Sequence, residues 1–513
     1  MSPLALISVS DKTNIVPFAK TLVEKYNYEI LSSGGTAKYL CDADIPVIKV
    51  PDFTNSPEIL EGRVKTLHPK IHGGILAKRG NQKHQEDLGR NNIRLIDLVV
   101  VNLYPFEKKT DGNCSWDEAI ENIDIGGPSM IRSAAKNHKD VAVLVKPSQY
   151  KELIEELDKG KLTDTFKINL ALKAFEHTAN YDAVISKWIG QKTNSDRSYH
   201  IDSYPLIRSL RYGENPHQKA NWYGLDNIGW NSAQKLQGKE LSYNNLLDLE
   251  SALSTVLEFD YENKENFSAA VILKHNNPCG AALSESISIA FKKALAADNV
   301  SAFGGIVAFN KNVDSETAEQ ISNIFLECVV APSFDKEALE ILKNKKNLRL
   351  LKLNYQGLNN SNQSSCKSIM GGLLVQENNF TKDNHEDWKT VTIKKPTAEE
   401  LKDLKFSWQI CKHVKSNAIV ISKNLQTIGI GAGQMNRVGA AKIALNASKD
   451  KCMNAVLASD GFFPFSDTVN IANEFGIKSI IQPGGSLRDQ DSIDMCNKLG
   501  ISMIFTNKRY FLH

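Results

Sequence analysis

The apolar run Ile96–Leu103 is the feature that most constrains how this chain can fold. The run is nearly continuous, which is typical of a strand buried on both faces of a parallel sheet. Val141–Val145 is a second run of this kind, and Leu4–Val9 is also strand-like. Lys12–Lys25 and Asp164–Ile189 have apolar residues at helical spacing. This succession of strands and helices predicts an α/β fold with an open parallel sheet covered by helices.

The length of the chain predicts more than one domain. A single hydrophobic core stops growing at about 250–300 residues, and this chain has 513. The segment Gly190–Tyr204 is polar and lacks apolar periodicity, so we expect it to link two domains. We predict one domain over residues 1–198 and a second α/β part over residues 199–513. In the second part Ala269–Leu273 is strand-like, and we expect the polar stretch Asn359–Ser368 to divide it.

Composition argues against several classes of protein. The 62 basic and 59 acidic residues give a net charge of +3, which is too balanced for a broad nucleic-acid surface but allows local basic pockets for small anions. No apolar run approaches the roughly 18–20 residues of a membrane span, and the first residues lack the basic region of a signal peptide. The eight cysteines are scattered without a CxxC pair, which favours reduced thiols. We therefore expect a cytoplasmic protein without nucleic-acid or membrane partners.

Two strand-to-helix turns early in the chain have features of phosphate-binding turns. They are Ser8–Lys12 and Ser32–Ala37, and the second contains Gly34 and Gly35. The unpaired N–H groups and the dipole of a helix N-terminus attract anions, and glycine lets the backbone approach them closely. An ordinary tight turn accounts for the same residues, so this alternative stays open. Neither GxGxxG nor GxxxxGK(S/T) occurs, so neither a dinucleotide nor a Walker-type nucleotide is indicated.

Three further segments of the first domain carry polar groups suited to a site. Gly62–Gly74 is rich in basic residues; a solvated basic loop explains its charges but not its interleaved proline and glycines. Asn102–Phe106 ends the buried strand, at the carboxyl edge where open α/β sheets bind ligands. Glu121–Pro128 opens a helix that carries Lys136. Asp124 in this segment suits either a helix cap or a ligand contact.

The strings SVSDK, SSGGTA, GRVKTLHP, NLYPF and ENIDIGGPSMIRSAAKNH occur in this order within residues 1–200. Together they resemble the inosine-monophosphate (IMP) cyclohydrolase domain of the PurH family of bifunctional purine-biosynthesis enzymes. The resemblance implies a methylglyoxal-synthase-like, Rossmann-like fold. The implied reaction closes the ring of formylated aminoimidazole carboxamide ribotide (FAICAR), in which the carboxamide nitrogen attacks the formyl carbon and water leaves.

The same resemblance implies roles for individual residues. Lys136 matches the proton-transfer lysine of the family. Lys65, Tyr104 and Asp124 match residues that stabilise and orient the reacting amide and formyl groups. An amide nitrogen is a poor nucleophile, so such a site must polarise the formyl oxygen and manage protons. The implied nucleotide contacts are Ser10, Asp11, Lys12, Ser33, Gly34, Gly35, Thr36, Arg63, Val64, Thr66, Asn102 and Ile125.

The most distinctive segment of the second part is Lys274–Gly280, KHNNPCG, which directly follows an apolar strand. A Lys-His pair at a strand end joins a cation to the side chain most often used as a proton acceptor near neutral pH. A zinc site of the nucleobase-deaminase type requires HxE and PCxxC. The residue two after His275 is Asn277 rather than Glu. The residue three after Cys279 is Ala282 rather than Cys, so we expect no metal site.

The strings RYGENPHQ, KHNNPCG, SAFGG, VKSNA, GAGQMNR, DGFFPFSD and TNKRYF span residues 211–511. They resemble the aminoimidazole carboxamide ribotide (AICAR) formyltransferase domain of the same family. The resemblance implies two cytidine-deaminase-like α/β units without zinc, over residues 199–362 and 450–513, with residues 363–449 connecting them. It also implies a homodimer.

The implied reaction transfers a formyl group from 10-formyltetrahydrofolate to the 5-amino group of AICAR, giving FAICAR and tetrahydrofolate. By resemblance, His275 takes the amine proton and Lys274 stabilises the tetrahedral oxyanion, as acyl-type transfer requires. The implied ribotide contacts are Arg211, Tyr212, Gly304, Glu327, Asn417, Arg437, Phe462 and Arg509. The implied folate contacts are Val438, Asp467, Gly484 and Gly485.

Two other functions stay open from the sequence. One is a single-activity formyltransferase whose N-terminal domain binds a nucleotide without catalysis. The other is a nucleotide-binding protein that is not an enzyme. Simple phosphate binding would not need Lys136 or the pair Lys274 and His275, which favours catalysis. The sequence therefore predicts a two-site enzyme that catalyses the last two steps of IMP synthesis.

Overall fold

The protein is described by a computed structural model over residues 2–110, 112, 114–193, 195, 198–225, 227–259, 266–356, 358, 364–379, 383 and 385–513. The chain divides into two compact units, Met1–Ser203 and Tyr204–His513. The predicted linker Gly190–Tyr204 lies partly outside the described residues, and its beginning, through Thr193, continues a helix. The predicted divider Asn359–Ser368 also lies partly outside them, and its last residues belong to a strand.

Five parallel strands form the sheet of the first unit, in the order β3-β2-β1-β4-β5. This confirms the predicted parallel sheet. All five residues of β4 are buried, as expected for an apolar strand covered on both faces. The elements are β1 (Leu4–Val9), α1 (Ile15–Tyr26), β2 (Glu29–Ser32), α2 (Gly34–Cys41), β3 (Val47–Lys49), α3 (Val50–Thr54), α4 (Pro69–Leu76), α5 (Gln82–Arg90), β4 (Leu98–Asn102), α6 (Phe106–Thr110), α7 (Trp116–Glu121), α8 (Gly126–Lys136), β5 (Ala142–Leu144), α9 (Gln149–Asp158) and α10 (Asp164–Thr193).

The order of these strands creates a crevice at the carboxyl edge of the sheet. The chain proceeds from β1 outward to β2 and β3, and then returns to the other side of β1 to form β4 and β5. The connections after β1 and β4 therefore leave the sheet in opposite directions. In open α/β sheets this switch point is where ligands bind.

A mixed sheet of 12 strands dominates the second unit, in the order β16-β21-β20-β19-β17-β18-β10-β9-β11-β12-β13-β8. The pairs β6-β7 and β14-β15 form two small separate sheets. The elements are β6 (Leu206–Leu210), β7 (Ala220–Tyr223), β8 (Gln234–Gln237), α11 (Tyr243–Val256), β9 (Ser268–Lys274), β10 (Asn277–Ser284), α12 (Ile287–Ala297), β11 (Gly305–Phe309), α13 (Ser315–Ser322), β12 (Leu326–Ala331), α14 (Lys336–Leu342), β13 (Arg349–Lys352), β14 (Ser364–Ile369), β15 (Gly372–Glu377), β16 (Lys389–Thr390), α15 (Ala398–Cys411), β17 (Ile419–Lys423), β18 (Gln426–Gly431), α16 (Arg437–Ser448), β19 (Val456–Ser459), α17 (Asp467–Glu474), β20 (Ser479–Gln482), α18 (Asp489–Leu499) and β21 (Ser502–Phe505).

The long sheet consists of two halves with the same succession of elements. The hairpin β9–β10 is followed by α12, β11, α13, β12, α14 and β13, and the hairpin β17–β18 by α16, β19, α17, β20, α18 and β21. Because β10 and β18 pair antiparallel at the centre, an approximate two-fold axis relates the halves. The prediction that residues 363–449 only connect two units is wrong. This range supplies α15, β17, β18 and α16, and β17 pairs with both β18 and β19 inside the sheet.

Helices cover both faces of the long sheet. On one face α11 and α15 pack over a core that contains Leu249 and Trp408. On the other face, α12–α14 and α16–α18 cover two separate cores, around Phe291 and Phe463. Successive strand residues point to opposite faces, so both must be apolar. Among the described residues, no helix is long and apolar enough to cross a membrane.

Glycines let the helices of this second face approach the two central strands. A Cβ atom at Gly280 on β10 would press against the carbonyl oxygen of Ala294 on α12. A Cβ atom at Gly431 on β18 would press in the same way against the carbonyl oxygen of Ala440 on α16. The same close helix-to-strand contact therefore recurs in both halves.

We predict that Gly280→Ala lowers the free energy of unfolding by about 3 kcal/mol, because α12 must move away from β10. Urea denaturation measures this change. The control is Gly372→Ala, since a Cβ atom there would meet no atom within 4 Å. An equal loss of stability in the two variants would contradict the packing argument.

Candidate active sites

The side chain of Asn102 organises the carboxyl edge of the first sheet. Its Oδ1 atom accepts hydrogen bonds from the backbone N–H groups of Ser10 at 2.6 Å and Asp11 at 2.9 Å. Its Nδ2 atom donates to the carbonyl oxygen of Asp11 at 3.0 Å. The turn after β1 is therefore fixed to the end of β4. Asn102 thus holds in place the turn that carries other predicted nucleotide contacts.

Thr36 ties the second predicted turn to the same edge. Its hydroxyl accepts from the N–H group of Val9 and donates to the carbonyl oxygen of Val9, both at 3.0 Å. Ser33 occupies the N-cap position of α2, and Gly34 follows with φ 53°. A Cβ atom at Gly34 would lie 2.9 Å from the Nζ atom of Lys65. The Lys65 ammonium group therefore rests against this turn.

Lys65 also faces Asp124, which lies just before α8. Asp124 Oδ1 accepts from the N–H group of Gly127 at 2.8 Å, and the N–H group of Asp124 donates to Tyr181 Oη at 2.8 Å. Burial raises the pKa of Asp124, and the Gly127 N–H group and the charge of Lys65 oppose this rise. The Thr66 hydroxyl borders the first residue of α8. The structure thus brings Lys65, Thr66 and Asp124 together at the crevice.

The remaining predicted contacts of the first unit lie in the same loops and are more exposed. Tyr104 and Ile125 are 53% and 59% exposed. Arg63 forms an ion pair with Glu121 at the surface. The Nζ atom of Lys12 lies 5.9 Å from the centre of an aromatic ring. Two further contacts are Gly35, which is exposed, and Val64, which is partly buried.

Lys136 lies apart from this group, and its role in proton transfer stays a prediction. It is the last residue of α8, whereas Asp124 precedes the first. The 11 residues of this helix span about 16 Å. Next to Lys136, the side chain of Asn137 donates to the carbonyl oxygens of Ile75 and Ala77 at the far end of α4. The helix therefore carries Lys136 toward the opposite edge of the sheet.

In the second unit, the predicted formyltransferase residues lie along one edge of the long sheet. Antiparallel pairing aligns the end of β9 with the starts of β10 and β11. It likewise aligns the start of β17 with the ends of β18 and β19. The strands β20 and β21 run parallel to β19, so they end at this edge too. Segments distant in sequence, such as those around Lys274, Asn417 and Gly484, are thereby aligned.

Lys274 ends β9, and the turn His275–Asn276 leads into β10. The Nζ atom of Lys274 donates to the carbonyl oxygen of Phe303 at 2.7 Å. The adjacent residue Gly304 donates its N–H group to the carbonyl oxygen of Phe325 at 2.8 Å. His275 is exposed, and a cleft of about 780 Å³ opens beside it, lined also by β10, β18 and the last turns of α12 and α16.

Glu327 and Arg211 lie toward the β12 end of the same edge. Glu327 Oε2 accepts from Arg349 Nη1 at 2.6 Å. Arg349 is a candidate that the sequence analysis missed, because a lone arginine at the start of a strand carries no motif. The Arg211 guanidinium lies 5.6 Å from the ring of Tyr212, and Asn244 of α11 donates to the loop that follows them.

A buried ion pair organises the other end of the edge. Arg437 is 6% exposed and pairs with Asp460, which is fully buried. Asp460 also accepts from the N–H group of Ala418 at 3.1 Å and from the Ser416 hydroxyl. Arg437 Nη1 compensates the charge that a buried carboxylate requires. The ribotide contact of Arg437 stays a prediction.

Three predicted ribotide contacts surround this ion pair. Asn417 donates its side-chain N–H group to the carbonyl oxygen of Gln434 at 2.8 Å. Phe462 is 37% exposed, and the guanidinium of Arg509 lies 4.8 Å from the ring of Phe511. The predicted folate contacts lie nearby in the topology: Val438 in the first turn of α16, Asp467 at the start of α17, and Gly484 and Gly485 after β20, with φ 73° and 97°.

Comparison with known proteins decides the family. A family model described as AICARFT/IMPCHase bienzyme matches residues 134–447, and one described as MGS-like domain matches residues 14–129. Two relatives from Prochlorococcus marinus, strains AS9601 and MIT 9211, are 69% and 58% identical over 100% of both chains. The chain belongs to the AICARFT/IMPCHase bienzyme family. Both relatives carry the name bifunctional purine biosynthesis protein PurH.

Membership confirms the predicted resemblance and the predicted function. The bienzyme is a bifunctional enzyme of purine biosynthesis with formyltransferase and IMP cyclohydrolase activities, and its first unit has the predicted methylglyoxal-synthase-like fold. Formyltransferase activity implies a folate-type cosubstrate. A solved structure titled "Crystal structure of ForH" is 33% identical to the bienzyme, with a TM-score of 0.34, and covers 37% of this chain and 100% of its own.

The contact between Gly34 and Lys65 generates a prediction for the bienzyme. Gly34→Ala should lower kcat for ring closure at least roughly tenfold, because the new Cβ atom displaces the Lys65 ammonium from its position. Conversion of added FAICAR to IMP measures this rate. Gly229→Ala is the control, since Gly229 has a similar positive φ of 55° and its Cβ atom would meet no atom within 4 Å. Unchanged ring closure in Gly34→Ala would show that this contact does not position Lys65.

Proposed function

We propose that the two groups of residues perform two successive reactions. The second unit transfers the formyl group of 10-formyltetrahydrofolate to the 5-amino group of AICAR, giving FAICAR and tetrahydrofolate. The first unit then closes FAICAR to IMP with loss of water. Neither reaction changes the oxidation level of the formyl carbon, so neither needs a dinucleotide. We place both in the cytoplasm, in keeping with eight scattered cysteines that form no CxxC pair.

In formyl transfer, the amine nitrogen attacks the formyl carbon and generates a tetrahedral oxyanion. His275 accepts the proton that the amine loses, and the bond from the carbon to the folate nitrogen then breaks. Protonation of that nitrogen by His275 completes the transfer. An ammonium group has three N–H donors. Lys274 uses one on the carbonyl oxygen of Phe303, at 2.7 Å, which leaves two for the oxyanion.

In ring closure, the carboxamide nitrogen attacks the formyl carbon of the same molecule. Lys65 polarises the formyl oxygen and later helps it to leave as water. Asp124 receives a proton from the carboxamide nitrogen and returns it to the formyl oxygen, and the resulting hydroxyl then leaves as water with the proton of the former 5-amino nitrogen. Burial raises the pKa of the Asp124 carboxyl, which makes it a stronger proton acceptor. The observation that supports this assignment is the place of Lys65 against the turn at Gly34, from which its charge acts on the Asp124 carboxyl. We assign Tyr104 to orientation of the reacting groups.

Reciprocal variants test whether the two reactions use separate residues. His275→Ala should lower kcat for formyl transfer by roughly 10²–10⁴-fold, because the proton acceptor is lost, and leave the conversion of added FAICAR to IMP unchanged. Lys65→Met should do the opposite and let FAICAR accumulate. Release of tetrahydrofolate and formation of IMP are followed separately. If each variant lost both activities while remaining folded, the assignment of two sites would be wrong.

We propose that the working enzyme is a homodimer. The support is the length of the sheet edge along which the predicted ribotide contacts lie. Glu327 is on β12. Arg509 lies beside the end of β19, because the N–H group of its neighbour Tyr510 donates to the carbonyl oxygen of Asp460, which follows that strand. Six strand spacings separate β12 from β19, which is about 29 Å. A ribotide is too short to reach both ends of one chain, whereas two copies can each supply one end.

Mixing two inactive variants tests this proposal. Each of the variants Glu327→Ala and Arg509→Ala, tested by itself, should lose formyl transfer. Mixed dimers should regain it, because one of their two sites combines the intact Glu327 of one copy with the intact Arg509 of the other. Sedimentation should give twice the chain mass of 57.0 kDa. A monomeric mass, or dimers without any regained activity, would contradict a shared site.

A further inference from the structure

The turn that carries the proposed proton acceptor has an unfavourable backbone. His275 and Asn276 are the two central residues of the hairpin β9–β10, and both have positive φ, 54° and 59°. Two-residue hairpin turns of this kind favour glycine and asparagine, because other side chains crowd the backbone at positive φ. A histidine in this conformation therefore needs support from outside the hairpin.

That support comes from Asp248 on α11. Its Oδ1 atom accepts from the backbone N–H group of Asn276 at 2.7 Å. The backbone N–H group and the charge of His275 also act on this carboxylate and oppose the rise of its pKa. With its amide turned so that nitrogen faces α11, the Asn276 side chain donates to Asp248 at 2.8 Å and to the carbonyl oxygen of Leu247 at 3.3 Å. The carboxylate thus holds the turn through the backbone and side chain of Asn276, the residue next to His275.

The second half of the sheet contains the same device without a histidine. Asp403 on α15 accepts from the backbone N–H groups of Asn424 at 2.8 Å and Leu425 at 2.6 Å. These residues form the turn of the hairpin β17–β18, and their φ angles of 54° and 56° match those of the first turn. The approximate two-fold axis places this turn on the opposite edge of the sheet, away from the formyl-transfer residues.

The two aspartates occupy equivalent places in their helices. Asp248 is the sixth residue after the N-cap Ser242, and Asp403 is the sixth after the N-cap Thr397. Both helices begin with a capping box. Burial raises the pKa of both carboxyls, while backbone N–H donors oppose the rise in each case. Only Asp248 is also affected by a neighbouring histidine, His275.

We propose that Asp248 is a positioning residue for formyl transfer, in which its carboxylate fixes the turn and thereby the direction of the His275 imidazole. This inference rests on the proposed role of His275. The carboxylate touches neither reacting group; it acts through the backbone that carries the imidazole. Asp403 performs the same structural task for a turn without acid–base chemistry. Asp403 therefore serves as an internal control, because its replacement should reduce stability without reducing formyl transfer.

Matched variants separate positioning from stability. Asp248→Asn keeps the shape of the side chain but replaces one acceptor oxygen by an N–H donor and removes the charge. We expect kcat for formyl transfer to fall roughly 10–100-fold, as for a misplaced catalytic group, with KM values for AICAR and the folate within about twofold. Asp403→Asn should lower Tm by a similar amount and leave kcat within about twofold. Ring closure of added FAICAR should be unchanged in both.

Asn276→Gly provides a second variant if Asp248→Asn does not fold. Glycine accepts positive φ, but it removes the side-chain amide that contacts Asp248 and loosens the turn. We expect a fall in kcat of roughly three- to tenfold. An unchanged kcat in Asn276→Gly or in folded Asp248→Asn would overturn the inference, as would an equal fall in Asp403→Asn. Full activity of His275→Ala would instead show that the proposed function itself is wrong.

Discussion

The antiparallel pairing of β10 with β18 is the interaction on which the second unit depends. At this seam Thr427 Oγ1 accepts from the N–H group of Ala281 at 2.9 Å and donates to its carbonyl oxygen at 3.2 Å. The N–H group of Leu283 donates to the carbonyl oxygen of Leu425 at 2.9 Å. Without these bonds each half would expose the unpaired edge of a largely buried strand. The seam also determines which ends of the strands share an edge, and so which residues can act together.

The two halves share one architecture but contribute different residues to the predicted site. We call the edge along which the predicted formyltransferase residues lie the active edge; in the first half, the end of β9 and the hairpin turn place Lys274 and His275 there. In the second half the turn lies on the other edge, and the active edge receives instead the start of β17 and the end of β19. There a buried pair, Arg437 and Asp460, holds the backbone that carries Asn417 and Phe462. The proposed proton-transfer residue His275 and the predicted ribotide contacts Asn417 and Phe462 thus come from different copies of the repeated unit.

The sequence predicts the elements whose patterns are local. The apolar strands β1 and β4 and the turns that follow them are where periodicity indicates. The strand β10 is not predictable in this way, because it begins with Asn277 and Pro278, which are typical of a loop. The position of Lys136 depends on the length of α8, which the motif around Lys136 does not reveal. The engagement of Arg437 depends on Asp460, a contact between segments that only folding brings together.

The repeat within the second unit had a weak sequence signal. The segment AAVILKHN, ending at Asn276, and the segment AIVISKNL, ending at Leu425, share four identities and both follow a helix with an Asp-Leu pair. A search for short periods misses this repeat because its copies lie about 150 residues apart. The supporting aspartates Asp248 and Asp403 have no motif of their own. Their equivalence is evident only when the two hairpins are superimposed.

The strand β17 begins beside residues that are synthesised much later. The N–H group of Ser416 donates to the carbonyl oxygen of Leu512 at 2.9 Å, and the N–H group of Tyr510 donates to the carbonyl oxygen of Asp460 at 3.0 Å. Leu512 in turn donates to the Ser416 hydroxyl at 3.1 Å, across 96 positions of sequence. A ribosome must therefore translate past Leu512 before this end of the active edge can close. The first unit, whose residues all precede Ser416, can therefore fold before this part of the edge is complete.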